Sequence, residues 1–131
     1  MTNISYPSSA AADGSVSWAL RRTGFHAEVQ RADDAVVLRL HGELDMATAE
    51  LLDEAFAAVL DGGGPGVVVD LANLSFLDST GIASLLGAGQ RAKDHGRSFV
   101  VRAPRRPVLK ALRLTGVDQI LAIETDEPSV S

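Results

Sequence analysis

Four residues that could take part in chemistry stand together in the stretch SFLDSTG, residues 75–81, between two apolar segments. Asp78 offers a carboxylate, Ser79 and Thr80 offer neighbouring hydroxyls, and Gly81 follows them. A hydroxyl at the start of a helix can accept a bond from a free backbone N–H and stabilise the helix by about 1 kcal/mol. A cap by one hydroxyl does not explain the second hydroxyl, Asp78 or Gly81. Glycine is also a poor helix former. We therefore expect Gly81 to leave backbone accessible to something outside the chain.

Nucleophilic catalysis is one use of a serine in such a place, and it needs a nearby base and a donor for the oxyanion. The three histidines, His26, His41 and His95, stand in no recognisable partner pattern. The stretch is not the G-x-S-x-G elbow of a hydrolase, and the histidines lack the spacing of metal ligands. The sequence thus predicts neither an enzyme nor a metal site, and it favours Ser79 as a residue on which another protein acts.

The glycine-rich stretch DGGGPG, residues 61–66, is a candidate phosphate cradle. A P-loop leads from a strand into a helix and carries Gly-Lys-Ser/Thr. This stretch leads from a predicted helix into a predicted strand and contains no lysine. We interpret it as a connector, and the sequence predicts no bound cofactor.

Length and composition set the class of protein. The chain has 131 residues, which fits one domain, and 46% hydrophobic with only 5% aromatic residues predicts an aliphatic core. The absence of cysteine favours a reducing compartment. No apolar run approaches the roughly 20 residues that span a bilayer, and the first residues do not form a convincing signal peptide. We expect a soluble cytoplasmic protein that does not contact membrane.

The charge is unevenly distributed along the chain. The net charge of −5 argues against a general nucleic-acid binder. Residues 1–80 carry 4 basic and 12 acidic side chains, whereas residues 81–131 carry 8 basic and 5 acidic ones. Much of the positive charge lies in RAPRRPVLKALR, residues 102–113. Such a run is usually a solvated helix face, and the alternative is a contact for an acidic partner or a phosphate.

The first half of the chain predicts a tail, a hairpin and a helix. Residues 1–23 show no clear period and are predicted to be a flexible tail, although Trp18 and Leu20 could dock on the domain. Residues 25–30 and 35–42 have the pattern of two strands, and the short connection predicts an antiparallel pair. A helix with acids in its first half follows, with Asp45 or Thr48 as its cap and the glycine run as its end.

The second half predicts parallel strands joined by helices. The aliphatic run at 66–74 suits a buried central strand, and helical spacing then extends to about residue 94. Strands are predicted at 98–103 and 119–124, with a helix between Pro107 and Gly116. The predicted fold is α/β, a small mixed sheet of four to five strands with helices mainly on one side. The domain spans residues 24–124, and residues 125–131 form a C-terminal tail.

Two blocks of the chain, LHGELDMATAELL at 40–52 and VVVDLANLSFLDSTGIASLL at 67–86, resemble the STAS domain of bacterial anti-sigma factor antagonists. The resemblance covers roughly residues 25–123, and the blocks stand in the family's order with a helix between them. In that family the serine directly after the Asp of an Asp-Ser-Ser/Thr-Gly segment is the phosphoacceptor, which implies Ser79 here. Asp78, Thr80 and Gly81 match the flanking positions, which the resemblance implies for partner binding.

Two further acids match the family's blocks, Asp45 in the first and Asp70 in the second. The resemblance implies a partner-binding role for Asp45, and the alternative is that it only caps a helix. For Asp70 the alternative to a partner contact is the closure of a strand end or turn.

The resemblance implies a partner-switching mechanism. The unphosphorylated protein binds an anti-sigma factor, often a serine kinase, and thereby frees a sigma factor. The kinase uses ATP to phosphorylate Ser79, the complex dissociates, and a phosphatase resets the cycle. The alternative is a STAS-like module that binds a nucleotide, lipid or other small ligand without a phosphoswitch, with the hydroxyls acting as caps.

Overall fold

A computed structural model of the chain describes residues 4–10, 16–22, 24–31, 34–60 and 64–125. Within these ranges the strands form one seven-stranded sheet whose spatial order follows the chain order. The strands are β1 (Ile4–Ala10), β2 (Val16–Arg22), β3 (Phe25–Arg31), β4 (Ala35–Leu44), β5 (Gly66–Leu77), β6 (Phe99–Arg102) and β7 (Ala122–Glu124).

Three helices connect the strands from β4 onward. They are α1 (Ala49–Leu60), α2 (Ser79–Asp94) and α3 (Arg106–Leu114), and a short 3-10 helix, Val117–Gln119, precedes β7. In the described ranges no helix is both long enough and apolar enough to cross a membrane.

The sheet is mixed, as the sequence predicts. Strands β1 to β4 pair antiparallel, and β4 to β7 pair parallel. Parallel neighbours need crossover connections, and α1, α2 and α3 supply them. Strands β3 to β7 are the five strands predicted from the sequence, so the structure confirms the predicted α/β fold class.

The N-terminal segment differs from its prediction. Residues 1–23 are predicted to be a tail, yet the stretches 4–10 and 16–22 are strands of the sheet. Strand β2 pairs with β3 from Ser17 opposite Gln30 to Arg22 opposite Phe25. The physical reason is that β3 would otherwise present a row of unpaired backbone groups at the sheet edge. At the other end, residues 126–131 of the predicted C-terminal tail lie outside the described residues.

The core lies between one face of the sheet and the three helices. Strand β4 buries Leu38 and Leu40, and β5 buries Val69, each in the part of its strand where buried residues alternate with less buried neighbours. These strand residues belong to one apolar cluster that also contains residues of α1, α2 and α3, among them Phe56, Leu85 and Leu112. Helices mainly on one side, as predicted, follow from the period-two burial of the strands.

The opposite face of the sheet carries a row of alternating charge, one residue from each of five adjacent strands. Register pairs each residue with the next across the row. The members of this charge row are Glu28, Arg39, Asp70, Arg102 and Glu124. Opposite charges on neighbouring strands stabilise a sheet, so this face is suited to remain in solvent.

A buried arginine fixes the end of α1. Arg97 is only 6% exposed and donates from Nη1 to the Val59 carbonyl at 2.6 Å and from Nε to the Pro65 carbonyl at 2.9 Å. Burial, together with nearby Arg31, lowers the pKa of Arg97. The side chain supplies hydrogen-bond donors to carbonyls that the last turn of a helix leaves unpaired.

Candidate functional site

The candidate site lies where β4 and β5 end side by side at the carboxyl edge of the sheet. Their last residues, Leu44 and Leu77, are partners in register. Asp45 and Asp78 follow them immediately, and the Asp78 N–H donates to the Leu44 carbonyl at 3.2 Å. The two sequence blocks therefore meet at this edge, because parallel neighbouring strands end there together.

Asp78, rather than a hydroxyl, caps the helix that follows. Its backbone is extended, and its Oδ1 accepts a hydrogen bond from the Gly81 N–H at 3.1 Å. Its carbonyl accepts the first helical bond, from the Ile82 N–H at 2.9 Å. A carboxylate at this position satisfies a free donor and complements the positive end of the helix dipole.

The two hydroxyls differ in exposure. Ser79 is exposed at the first residue of α2, and Thr80 is half-buried. In the part of the chain that the structure describes, neither hydroxyl forms a hydrogen bond. The cap thus leaves Ser79 exposed to solvent.

Gly81 does not leave backbone exposed, so that prediction is wrong. Gly81 is buried, and a Cβ there would lie 2.6 Å from Leu77 Cδ1 and 2.8 Å from Leu44 Cγ. The glycine allows the first turn of α2 to pack directly on the ends of β4 and β5. Its contribution to the site is this close packing, which fixes the position of Ser79.

Asp45 forms a tight turn before α1. Its Oδ1 accepts bonds from the N–H groups of Ala47 at 2.9 Å and Thr48 at 3.2 Å. The buried Thr48 hydroxyl donates to the Glu43 carbonyl at 2.9 Å. These bonds close a turn ahead of α1, which begins at Ala49, so they give Asp45 a local structural role, and a partner contact by Asp45 stays a prediction.

Two large apolar side chains stand exposed beside the acids, and sequence reasoning missed both. Met46 is 79% exposed in the turn after β4, and Phe76 is 47% exposed near the end of β5. Ser75 and Phe76 are both exposed in succession, so the alternating burial of β5 breaks there. Exposed apolar side chains next to polar ones are typical of surfaces that a protein partner covers.

A groove between α1 and α2 begins beside the hydroxyls. It measures about 660 Å³, and Thr80 lies at one end and Arg91 at the other. Its lining residues are Ala49, Asp53, Phe56, Thr80, Ala83, Ser84, Gly87, Ala88, Gln90 and Arg91. We call this the α1/α2 groove, and no sequence signal singled it out, because it depends on how two distant helices pack.

Asp70 belongs to the charge row rather than to the edge that carries Ser79. Burial raises the pKa of Asp70. The hydrogen bonds from the Ala72 N–H and from Arg102, together with the charges of Arg102 and Arg39, lower the pKa by more, so it lies below the ordinary value. Arg102 Nη2 donates to Asp70 Oδ2 at 2.9 Å, and Arg39 Nε lies 3.9 Å from the same oxygen. Asp70 lies inside β5 and not at a strand end or turn, so that alternative is wrong, and a partner contact by Asp70 stays a prediction.

The histidines also lie outside the site. His26 and His41 stack on the open sheet face with ring centroids 4.7 Å apart, and His41 Nε2 lies 2.7 Å from Glu28 Oε1. His95 follows α2 at its far end from Ser79. Across the described ranges, no three or more His, Asp or Glu side chains are arranged to hold a metal ion.

A family comparison accounts for this arrangement. The family described as "Mlab, STAS domain" matches residues 27–123. The chain belongs to the STAS domain family. That match runs from within β3 to within β7 and includes Asp78, Ser79 and α2.

Relatives of this STAS protein carry regulatory names. It is 29% identical over 104 residues to an anti-sigma F factor antagonist of Paenibacillus polymyxa, covering 76% of this chain and 86% of that one. It is 25% identical over 91 residues to an anti-sigma-B factor antagonist of Staphylococcus epidermidis, covering 70% and 84%. A crystal structure of an anti-sigma factor antagonist from Mycobacterium paratuberculosis is 28% identical, with a TM-score of 0.72 over 84% of this chain and 91% of that chain.

Proposed function

We propose that this STAS protein is an anti-sigma factor antagonist controlled by phosphorylation of Ser79. In the unphosphorylated form it binds an anti-sigma factor and frees a sigma factor. The anti-sigma factor is a serine kinase that transfers phosphate from ATP to the Ser79 hydroxyl. A phosphatase removes the phosphate and restores binding. The cycle takes place in the cytoplasm and requires no cofactor held by this chain.

One observation carries the proposal. Ser79 is exposed at a helix N-terminus whose capping role Asp78 already fills. A serine that capped the helix would hold its hydroxyl against backbone N–H groups. Here the hydroxyl is available to a kinase, and its modification removes no bond that holds α2 in place.

The surroundings of Ser79 suit a partner that covers it closely. Met46 and Phe76 offer apolar contact area at the same edge, and Asp45 and Asp78 place two carboxylates there. Apolar anchors surrounded by polar groups are common at protein interfaces. We propose that the anti-sigma factor buries this surface, with Thr80, Asp78 and Asp45 among its contacts and Gly81 as the packing residue beneath.

Phosphorylation would then end binding without unfolding the chain. A phosphoserine adds a charge of about −1.5 to −2 at pH 7. At the N-terminus of α2 this charge meets the positive end of the helix dipole and free N–H groups, which tolerate it. Under a partner, the same charge would be buried next to Asp78 without compensation, and that is costly.

Variants at one residue test the proposal. Binding affinity is measured for the wild-type chain and for the variants Ser79→Ala and Ser79→Asp. Each is titrated with every candidate anti-sigma factor kinase of the same genome, with ADP in place of ATP so that no phosphate is transferred. The proposal expects wild type and Ser79→Ala to bind equally and Ser79→Asp to bind more weakly. Equal binding by all three, or binding of none to any candidate, would contradict it.

A further inference from the structure

Helix α2 contains three glycines, and the packing explains only two of them. A Cβ on Gly81 would collide with Leu77 and Leu44, and a Cβ on Gly89 would lie 2.6 Å from Leu121 Cδ2. A Cβ on Gly87 would meet nothing within 4 Å. Gly87 is exposed, and its backbone is ordinary helix. Neither space nor backbone conformation therefore requires a glycine at this position.

The glycine at position 87 destabilises the helix. In the interior of a helix, glycine lowers the equilibrium constant for folding about fivefold relative to alanine. Gly87 lies in the middle of α2, between Ser79 and Asp94, so this penalty applies in full. An alanine here would raise the free energy of unfolding. The glycine therefore indicates that the open space above Gly87 has another use.

That open space is the α1/α2 groove. Thr80, Ala83 and Gly87 follow one another at helical spacing along one wall, and Arg91 continues the row. From Thr80 to Arg91 this wall runs about 16 Å along the helix. The side chains along this wall are small and leave the groove wide, and the buried Phe56 of α1 lines its apolar floor. The groove therefore offers room for a large side chain close to Ser79 at the start of α2.

Charge indicates what kind of segment enters the groove. Two charged residues line the groove, Asp53 on the α1 wall and Arg91 at the far end of the α2 wall. Glu50 and Glu54 are exposed on α1 outside the lining, so the α1 side is acidic. The α1 side carries three exposed acids against the single Arg91 of α2, and a second copy would repeat this acidic excess, so it complements the groove less well than a basic segment does. A segment with an apolar side chain and a neighbouring Lys or Arg matches both the floor and the acidic wall.

We propose that the α1/α2 groove receives a bulky apolar side chain of the anti-sigma factor, carried on a segment with a basic residue that faces Asp53. This inference rests on the proposed function and names the anchor of its partner. Gly87 keeps the groove open, and the groove begins at Thr80, beside the phosphoacceptor. The anchor thus places the partner over Ser79, where a phosphate would be buried.

A pair of substitutions tests the groove with a matched control. Gly87→Leu fills the open space, while Ala58→Leu adds a leucine to α1 at an exposed position that does not line the groove. Binding is measured with the anti-sigma factor that binds wild type, and folding is measured by urea unfolding. We expect Gly87→Leu to fold more stably than wild type and to bind about 30-fold or more weakly, as at an interface hot spot. Ala58→Leu should bind as wild type does.

The outcomes separate this inference from the proposed function. If Ser79→Asp weakens binding but Gly87→Leu does not, the groove is not the anchor and the phosphoswitch stands. If Gly87→Leu changes the sedimentation of the chain alone from dimer to monomer, a second copy occupies the groove and the inference is overturned. Loss of binding in Gly87→Leu together with an unchanged monomer would support it.

Discussion

The carboxylate of Asp78 accepts the Gly81 N–H at 3.1 Å, and this bond caps α2 without help from the serine between them. The bond separates two roles that lie next to each other in sequence. Asp78 holds the helix, and Ser79 is left exposed for modification. A phosphate on Ser79 can therefore change the surface without removing the cap.

The capping role predicts that two neighbouring substitutions affect stability to different extents. Asp78→Ala should lower the free energy of unfolding by about 1 kcal/mol, because it leaves a first-turn N–H without its acceptor. Ser79→Ala should change it by less than about 0.5 kcal/mol, since its hydroxyl has no partner among the described residues. Urea unfolding of the two variants measures both values. A larger loss for Ser79→Ala would show that the serine is the cap.

Two glycines of α2 should respond oppositely to alanine. Gly81→Ala forces a Cβ to within 2.6 Å of Leu77 Cδ1 and should destabilise by about 1–3 kcal/mol. Gly87→Ala places a Cβ in open space and should stabilise by up to about 1 kcal/mol. Thermal or urea unfolding compares them directly. Destabilisation by Gly87→Ala would mean that the space above it is not open.

The sequence predicts the parts of the site that depend on local order. The Asp-Ser-Thr-Gly segment marks the start of α2, and the period-two and helical patterns predict β3 to β7. The wrong prediction for Gly81 has a tertiary cause, because Leu44 approaches it from 37 positions earlier in the chain. Strands β1 and β2 were missed for a similar reason, since their place is set by pairing with β3 rather than by their own period.

The end of α1 depends on Arg97, which no sequence pattern distinguished from a surface arginine. Arg97→Met keeps much of the apolar stem but removes the donors to the Val59 and Pro65 carbonyls. Buried carbonyls left unpaired cost about 1–3 kcal/mol, and we expect a loss of that size in the free energy of unfolding. Lys93→Met, at an exposed position of α2, is the control and should be nearly neutral. Equal effects of the two substitutions would contradict this role.

The charge row makes stability depend on pH through Asp70. Its pKa is lowered in the folded chain from the ordinary value of 3.8, so folding favours the ionised carboxylate. Its contribution is complete above pH 3.8 and is lost as pH falls below that value towards the lower pKa of the folded state. Asp70→Asn should therefore flatten the fall of stability below pH 3.8, relative to wild type. Urea unfolding at several pH values measures this, with Asp53→Asn, at an exposed position of α1, as the control. Identical profiles for wild type and Asp70→Asn would contradict the prediction.

The central claim is that phosphate on Ser79 abolishes partner binding while the fold persists. The direct measurement is the affinity of one anti-sigma factor, in the presence of ADP, for the unphosphorylated chain and for the chain phosphorylated to completion. Peptide mapping locates the phosphate, and amide NMR spectra report the fold of both forms. We predict phosphate on Ser79, shifts confined to the first turn of α2 and its neighbours, and an affinity about 100-fold or more weaker, in line with an uncompensated buried charge. Unchanged affinity at full phosphorylation, phosphate mainly on Thr80, or shifts throughout the sheet would contradict the account.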